Sequence, residues 1–156
     1  MSKHYIYTYR LTDFTGFAPC YENNLLSLAI CKSDMRRVIG SNYDNNPSDT
    51  FWFMGLVSNS LVYNYSYFSC DKPGRVLFVA KINRIETYEE YFTKEEYKNR
   101  KDQIYENCEN GQYYTKGSKK RFRHVLDCDV HDCKEDQDRD WDKRHSSKEN
   151  YVLLST

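Results

Sequence analysis

Residues 75–92 read RVLFVAKINRIETYEEYF, and their interpretation organises the rest of the chain. Arg75 to Glu86 is dominated by Val, Leu, Ile and Phe and follows the turn-forming pair Pro73-Gly74, so it predicts one strand. Thr87 followed by Glu90 has the spacing of a capping box, which starts a helix through Tyr91-Phe92. Upstream, Phe51-Trp52-Phe53-Met54-Gly55-Leu56-Val57 predicts a second strongly apolar strand, and Tyr5 to Arg10 a first one rich in strand formers. Leu25 to Cys31 is short and apolar and fits a buried strand, with a helical turn left open by periodicity alone. Ser33-Asp34 offers a cap for a short helix through Val38.

The connections are read from their punctuation. Gly16 to Asn24 predicts a loop, as does the polar segment Asn42 to Thr50, which contains Pro47. Ser58 to Ser69 predicts an insertion or ragged hairpin. Lys94 to Arg100 predicts a second helical piece, and the chain is then expected to be loop-rich until a last strand at Tyr151-Val152-Leu153-Leu154. Strands dominate, and the helices are too few and short to cover both faces of a parallel sheet. The expected fold is therefore α+β, a small mixed or antiparallel β-barrel with short helices plugging its ends. There is no internal repeat or interdomain linker, so residues 1–156 are expected to form one domain.

Composition narrows the function classes. Lysine plus arginine total 23 and so do aspartate plus glutamate, so no global charge favours standalone capture of long nucleic acid. Opposite charges are segregated locally: Thr115 to Arg123 (TKGSKKRFR) holds five bases and no acid, and Asp127 to Arg144 is rich in acids. Such blocks either neutralise each other on a solvated face or present a basic loop to phosphate. The N-terminus lacks the apolar core of a signal peptide, and no run approaches a membrane span. With that, the dispersed cysteines at 20, 31, 70, 108, 128 and 133 are expected to be reduced thiols in a cytoplasm.

Several residue groups have the chemistry of a site. His124, Cys128, His131 and Cys133 lie close enough to suggest zinc, but Cys-x4-Cys around a histidine is no standard knuckle, so no metal or other cofactor is expected. The glycines are isolated and form no phosphate-cradling loop. Fifteen tyrosines suit sheet packing and ligand pockets alike. Among the aromatics, Phe17, Trp52 and Tyr105 are candidates to stack a planar base. Lys32, Arg36 and Lys81 are candidates to meet phosphate or a base edge. Pro19 would hold Phe17 in place, and Cys31 ends the neighbouring strand beside Lys32.

Together these blocks resemble a known family. Gly16-Phe17-Ala18-Pro19, Leu26-Ser-Leu-Ala-Ile-Cys-Lys32 with Arg36, the strand at 51–55 and the stretch 75–92 are similar to successive blocks of the second nucleotide modification associated domain family. Gln103-Ile104-Tyr105, the His-containing loop 124–131 and the closing Val152-Leu-Leu-Ser155 resemble its later blocks. Cys20-Tyr21 stands where members tend to have Asn-Pro, Asp49-Thr50 where they tend to have Gly-Asp, and their aromatic-Gly ending is absent. The resemblance implies a phage-associated protein of a system handling modified nucleotides, cytoplasmic in the host cell. It also implies a barrel like those of pseudouridine-synthase-and-archaeosine-transglycosylase domains and their EVE and ASCH relatives.

The function expected from residues and resemblance together is noncatalytic binding of a nucleotide or modified base. In a phage this would be sequestration of a nucleotide immune signal. The expected ligand residues are Phe17, Pro19, Cys31, Lys32, Arg36, Trp52, Lys81, Tyr105, His124 and His131. Two alternatives stay open: a nucleotide-processing enzyme with His124 or His131 as acid or base, and a reader of modified DNA in a larger complex. Partners beyond the ligand are expected to be few, with weak or no duplex DNA binding, no membrane and a possible second copy of the chain.

Overall fold

In the computed structural model, residues 2–12, 16, 18–103 and 151–156 are described in full, and strands 105–108 and 112–115 by their backbone. The chain order is β1 (His4–Leu11), β2 (Cys20–Glu22), β3 (Leu25–Leu28), α1 (Ser33–Asn45), β4 (Thr50–Val57), α2 (Asn59–Asn64), β5 (Val76–Lys81), β6 (Arg84–Thr87), α3 (Tyr88–Thr93), β7 (Tyr105–Cys108), β8 (Gln112–Thr115) and β9 (Tyr151–Ser155). One sheet has the order β1-β4-β5, with β1 and β4 parallel and β4 and β5 antiparallel. A second, wholly antiparallel sheet has the order β2-β3-β9-β6, and β7 pairs with β8 alone.

β4 organises the first sheet because it alternates strictly. Phe51, Phe53, Gly55 and Val57 are buried on one face, and Trp52, Met54 and Leu56 are half-buried on the other. Beside it, β1 sends Tyr9 and Leu11 to the same core. β9 differs: Val152 and Leu154 pack with Tyr88, Tyr91, Phe92 and Tyr97, whereas Leu153 joins Leu28, Phe51 and Phe53 on the opposite side. A strand buried on both faces needs a continuous apolar run, and Val152-Leu153-Leu154 supplies one. The second sheet thus lies between the first sheet and α3.

The fold is mixed α+β with two sheets and few, short helices. Among the described residues the hydrogen-bonded ladders do not close into a barrel; β1 and β5 edge one sheet, β2 and β6 the other. Residues 75–86 form two strands rather than the single one expected. The Ile82 amide still donates to the Phe51 carbonyl at 2.8 Å, in the first sheet, while the next amide, of Asn83, donates to Leu154 at 2.9 Å, in the second. The chain changes sheets across that one peptide. Asn83 completes the joint by accepting from the Thr156 amide through Oδ1.

Other boundaries also move. The expected loop 16–24 contains β2, and the expected strand 25–31 ends at Leu28. α1 continues through the predicted polar loop to Asn45, because the Asn42 amide finds the Tyr7 hydroxyl at 2.9 Å and Asn45 finds the Ser41 carbonyl at 2.8 Å. The stretch 58–69, expected as an insertion or ragged hairpin, holds no strand: it is α2, capped by the Ser58 hydroxyl on the Leu61 amide, followed by a single 3-10 turn at Ser66–Phe68. The capping box of α3 forms as expected: the Thr87 hydroxyl accepts from the Glu90 amide at 3.2 Å and Glu90 accepts from the Thr87 amide at 2.8 Å. The helical piece expected after it is only a 3-10 turn at Glu95–Tyr97, and the expected loop region contains the β7–β8 hairpin.

Candidate functional site

A groove of about 1090 Å³ runs between β5 and the β2–β3–β9 end of the second sheet. Leu11, Leu26, Phe68 and Phe78 supply apolar walls, and Gly16, Ala18 and Pro19 approach from the connection before β2. The Tyr21 and Tyr67 side chains stand at its border, 66% and 81% exposed. Arg75, Lys81 and Lys101 add cationic groups, Asn24 and Asn83 add amides, and the described lining contains no Asp or Glu. Arg75 is partly neutralised by Asp71, its ion-pair partner. An apolar floor bordered by exposed tyrosines and by cations suits a planar, anionic ligand.

The floor is set by a missing side chain. β4 and β5 shift register at Gly55/Leu56, so that Gly55 opposes Phe78 and Leu56 opposes Val76. A Cβ on Gly55 would lie 2.6 Å from Leu11 Cδ1 and closer still to the Phe78 ring. Only glycine therefore leaves Phe78 room to lie across the sheet, edge-on to Phe53 at 5.6 Å between ring centres.

The opposite wall is a hairpin held from behind. Asn23 and Asn24 both have positive φ, 53° and 59°, the conformation of a two-residue turn that matches strand twist. Behind it the Arg100 guanidinium donates to the carbonyls of Glu22 (2.8 Å), Cys20 (3.2 Å) and Leu25 (3.2 Å) and to the Ser27 hydroxyl (2.7 Å). Asp102 lies 3.4 Å from Arg100 and accepts from the hydroxyls of Ser27 and Tyr91, the latter at 2.8 Å. These groups are buried, and the network joins the hairpin that presents Tyr21 to the end of the α3 region.

Burial dominates the titration of this network. It holds the Asp102 carboxyl above the usual range, although the Ser27 hydroxyl and the Arg100 guanidinium pull it down. It pushes the Cys20 thiol up to about 12, with the Asp102 charge adding to the shift. A thiol at that value is unreactive at neutral pH. Treating the native protein with iodoacetamide at pH 7.5 is expected to modify exposed Cys70 and leave Cys20 unmodified, as read by peptide mass mapping. Modification of Cys20 at a comparable rate would show that the hairpin opens.

These features define a small α+β domain with a cationic, tyrosine-bordered groove. The chain belongs to the nucleotide modification associated domain 2 family, whose model matches residues 2–156. No curated protein and no solved structure matches it. Among the described residues no helix is long and apolar enough to cross a membrane.

The expected site residues are dispersed. Pro19 and Lys81 line the groove. Arg36 does not: its buried guanidinium donates to the Cys31 carbonyl (2.8 Å), the Tyr151 carbonyl (2.6 Å) and the Tyr88 hydroxyl (2.7 Å), which pins α1 to β9 and α3. Trp52 stands on the face of β4 opposite Phe51 and Phe53 and is not among the groove's walls. Cys31 and Lys32 lie at the start of α1, also outside the groove. Phe17, His124, His131, the Tyr105 side chain, the Cys/His stretch 124–133 and the charge blocks 116–144 lie outside the described residues.

Sequence inspection missed Tyr21, Tyr67, Arg75 and Lys101. A signal existed for the first: Glu22-Asn23-Asn24-Leu25 fits a two-residue hairpin turn, which would have turned the supposed loop into a strand pair displaying Tyr21. The others meet across elements distant in sequence and carry no local signature.

Proposed function

We propose that the groove binds a nucleotide or modified base and holds it without chemical change. The observation carrying this is the placement of Tyr21 and Tyr67 beside Arg75, Lys81 and Lys101 around an apolar floor. An exposed tyrosine ring offers a stacking face to any base, and cations beside it meet the phosphate. Family membership supports the same ligand class. In this reading the two sheets are an opened relative of the modified-base-binding barrel, with the ligand in the opening. If the chain is phage-encoded, the binder would withdraw a nucleotide signal from host defence.

The test is to incubate the protein with mononucleotides, cyclic dinucleotides and ADP-ribose derivatives, remove unbound material, denature and identify what is released. Release of intact ligand is expected. Tyr21→Ala with Tyr67→Ala should weaken retention roughly ten- to a hundredfold, as expected for loss of about 1–3 kcal/mol per stacked base. A converted product would indicate an enzyme instead, and retention unaffected by the tyrosine pair would place the ligand elsewhere.

A further inference from the structure

The two ends of the groove are alike in chemistry. β5 runs along it and contributes Leu77 to Lys81 to its lining, with Arg75 just ahead of the strand. From Arg75 to Lys81 the extended chain covers about 20 Å, at about 3.3 Å per residue. At the Arg75 end, the Asp71 amide donates to the Phe68 carbonyl at 2.8 Å and the Asp71 carboxylate pairs with the Arg75 guanidinium. These contacts bring the turn that carries Tyr67 and Phe68 to the start of β5. The Tyr67 ring stands there at 85° to the Phe68 ring, with 5.0 Å between their centres.

The other end is fixed by strand pairing. Tyr21 opposes Leu26, and Leu26 opposes Ser155, so the three side chains share one face of the second sheet. Leu26 packs against the core that contains Phe51, Phe53 and Ala80, which turns this face toward the first sheet. The next amide, of Thr156, donates at 3.1 Å to Asn83, two residues beyond Lys81. Tyr21 thus belongs to the Lys81 end of β5. Its hydroxyl donates to Asn24 Oδ1 at 3.3 Å, and the Lys101 amide donates to Glu22 Oε2 at 2.8 Å, which sets a second lysine beside the same hairpin. Each end therefore joins an exposed tyrosine to a cation: Tyr67 with Arg75, and Tyr21 with Lys81 and Lys101.

One base cannot stack on two rings held at opposite ends of a strand. Two bases joined through phosphate can, with the link lying between them along β5, where the described lining holds no acid to repel it. The volume of about 1090 Å³ agrees, since it stands at the top of the range of about 300–1,000 Å³ usual for small-molecule pockets. We propose that the ligand is a dinucleotide, two nucleosides bridged by phosphate, with one base on Tyr21 and the other on Tyr67. This rests on the reading of the groove as a nucleotide site and adds that the site has two base subsites. Linking two groups that bind separately makes the second contact intramolecular and raises affinity by about 10²–10⁴ over either alone.

The test is titration calorimetry of the full chain with four probes: adenosine monophosphate, adenylyl-3′,5′-adenosine, diadenosine 5′,5′-diphosphate and cyclic di-adenosine monophosphate. Stacking tolerates any base, so adenine serves for all. The chain is expected to take two molecules of the mononucleotide but one dinucleotide, and at least one dinucleotide should bind at least tenfold more tightly than the mononucleotide. The tightest of the three identifies the linkage. Tyr21→Ala and Tyr67→Ala should each reduce the mononucleotide stoichiometry from two to one and weaken that dinucleotide at least tenfold. Tyr63→Ala, at a tyrosine 84% exposed and outside the groove's lining, should change neither. A single mononucleotide per chain, dinucleotides no tighter than the mononucleotide, or a dinucleotide affinity that only one of the two tyrosines affects would overturn the dinucleotide and leave the groove a mononucleotide site. No binding of any of the four probes would overturn both readings.

Discussion

Replacing Arg100 by Met is expected to lower the unfolding free energy by about 3–5 kcal/mol, the range for removing one partner of a buried ion pair. The side chains of Arg100 and Asp102 are 4% and 0% exposed, so water cannot replace the lost guanidinium. The carbonyls of Cys20, Glu22 and Leu25 lose a donor at the same time. For a domain of this length that is a large part of a typical total of about 5–15 kcal/mol, and urea unfolding read by tyrosine fluorescence measures it directly.

The loss should depend on pH in a definite direction. A carboxyl whose folded pKa is raised contributes stability that is present below its unfolded pKa and disappears as pH rises through the folded value. Asp102 is already raised by burial, and removing Arg100 takes away one of the influences that lower it. The deficit of Arg100→Met should therefore shrink as pH is lowered from 8 toward 5. Adding Asp102→Asn should recover part of the stability at pH 8. A pH-independent loss below about 1 kcal/mol would mean that the network is solvated and does not hold the hairpin.

Gly40→Ala is expected to destabilise, although the same change in an exposed helix gains about 1 kcal/mol from backbone propensity. The position is buried against β9, and a Cβ there would meet the Tyr151 ring, with Cδ1 only 2.8 Å away and other ring atoms nearer. That ring has little freedom to withdraw, since its hydroxyl donates to Asp44 at 3.1 Å and its carbonyl accepts from Arg36 at 2.6 Å. Overpacking of this kind costs about 1–3 kcal/mol, and the displacement of α1 would strain the Arg36 contacts as well. Thermal unfolding of Gly40→Ala, and of Gly40→Ala with Tyr151→Val, measures the effect; the second change should restore much of the loss. A rise in melting temperature for the single variant would show that α1 is not seated on Tyr151.

The legible part of the fold was local. The alternation in β4, the apolar run of β9 and the Thr87–Glu90 box each carry their structural reason within a few neighbouring residues. The change of sheets at Ile82–Asn83 does not, because strand formers continue through it and only the hydrogen-bond partner changes. The site was less legible for the same reason. Arg36 has the residue type of a phosphate ligand, yet its acceptors come from residues 31, 88 and 151 and bury it completely. Lys101, Arg75 and Tyr67 reach the groove only because the two sheets meet there.

The passage from Ile82 to Asn83 also restricts how a chain of this kind can vary in length. The two amides are adjacent and each is already committed to a different sheet, so there is no slack between them. One inserted or deleted residue would force β6 to pair with β9 one step out of place and turn Ile85 and Glu86 to the wrong faces. Natural relatives of unequal length are thus expected to gain or lose residues in surface connections and keep this step intact. An alignment of such relatives is therefore expected to carry no gap between Ile82 and Asn83, which would make this step a point of reference for positions on both sheets.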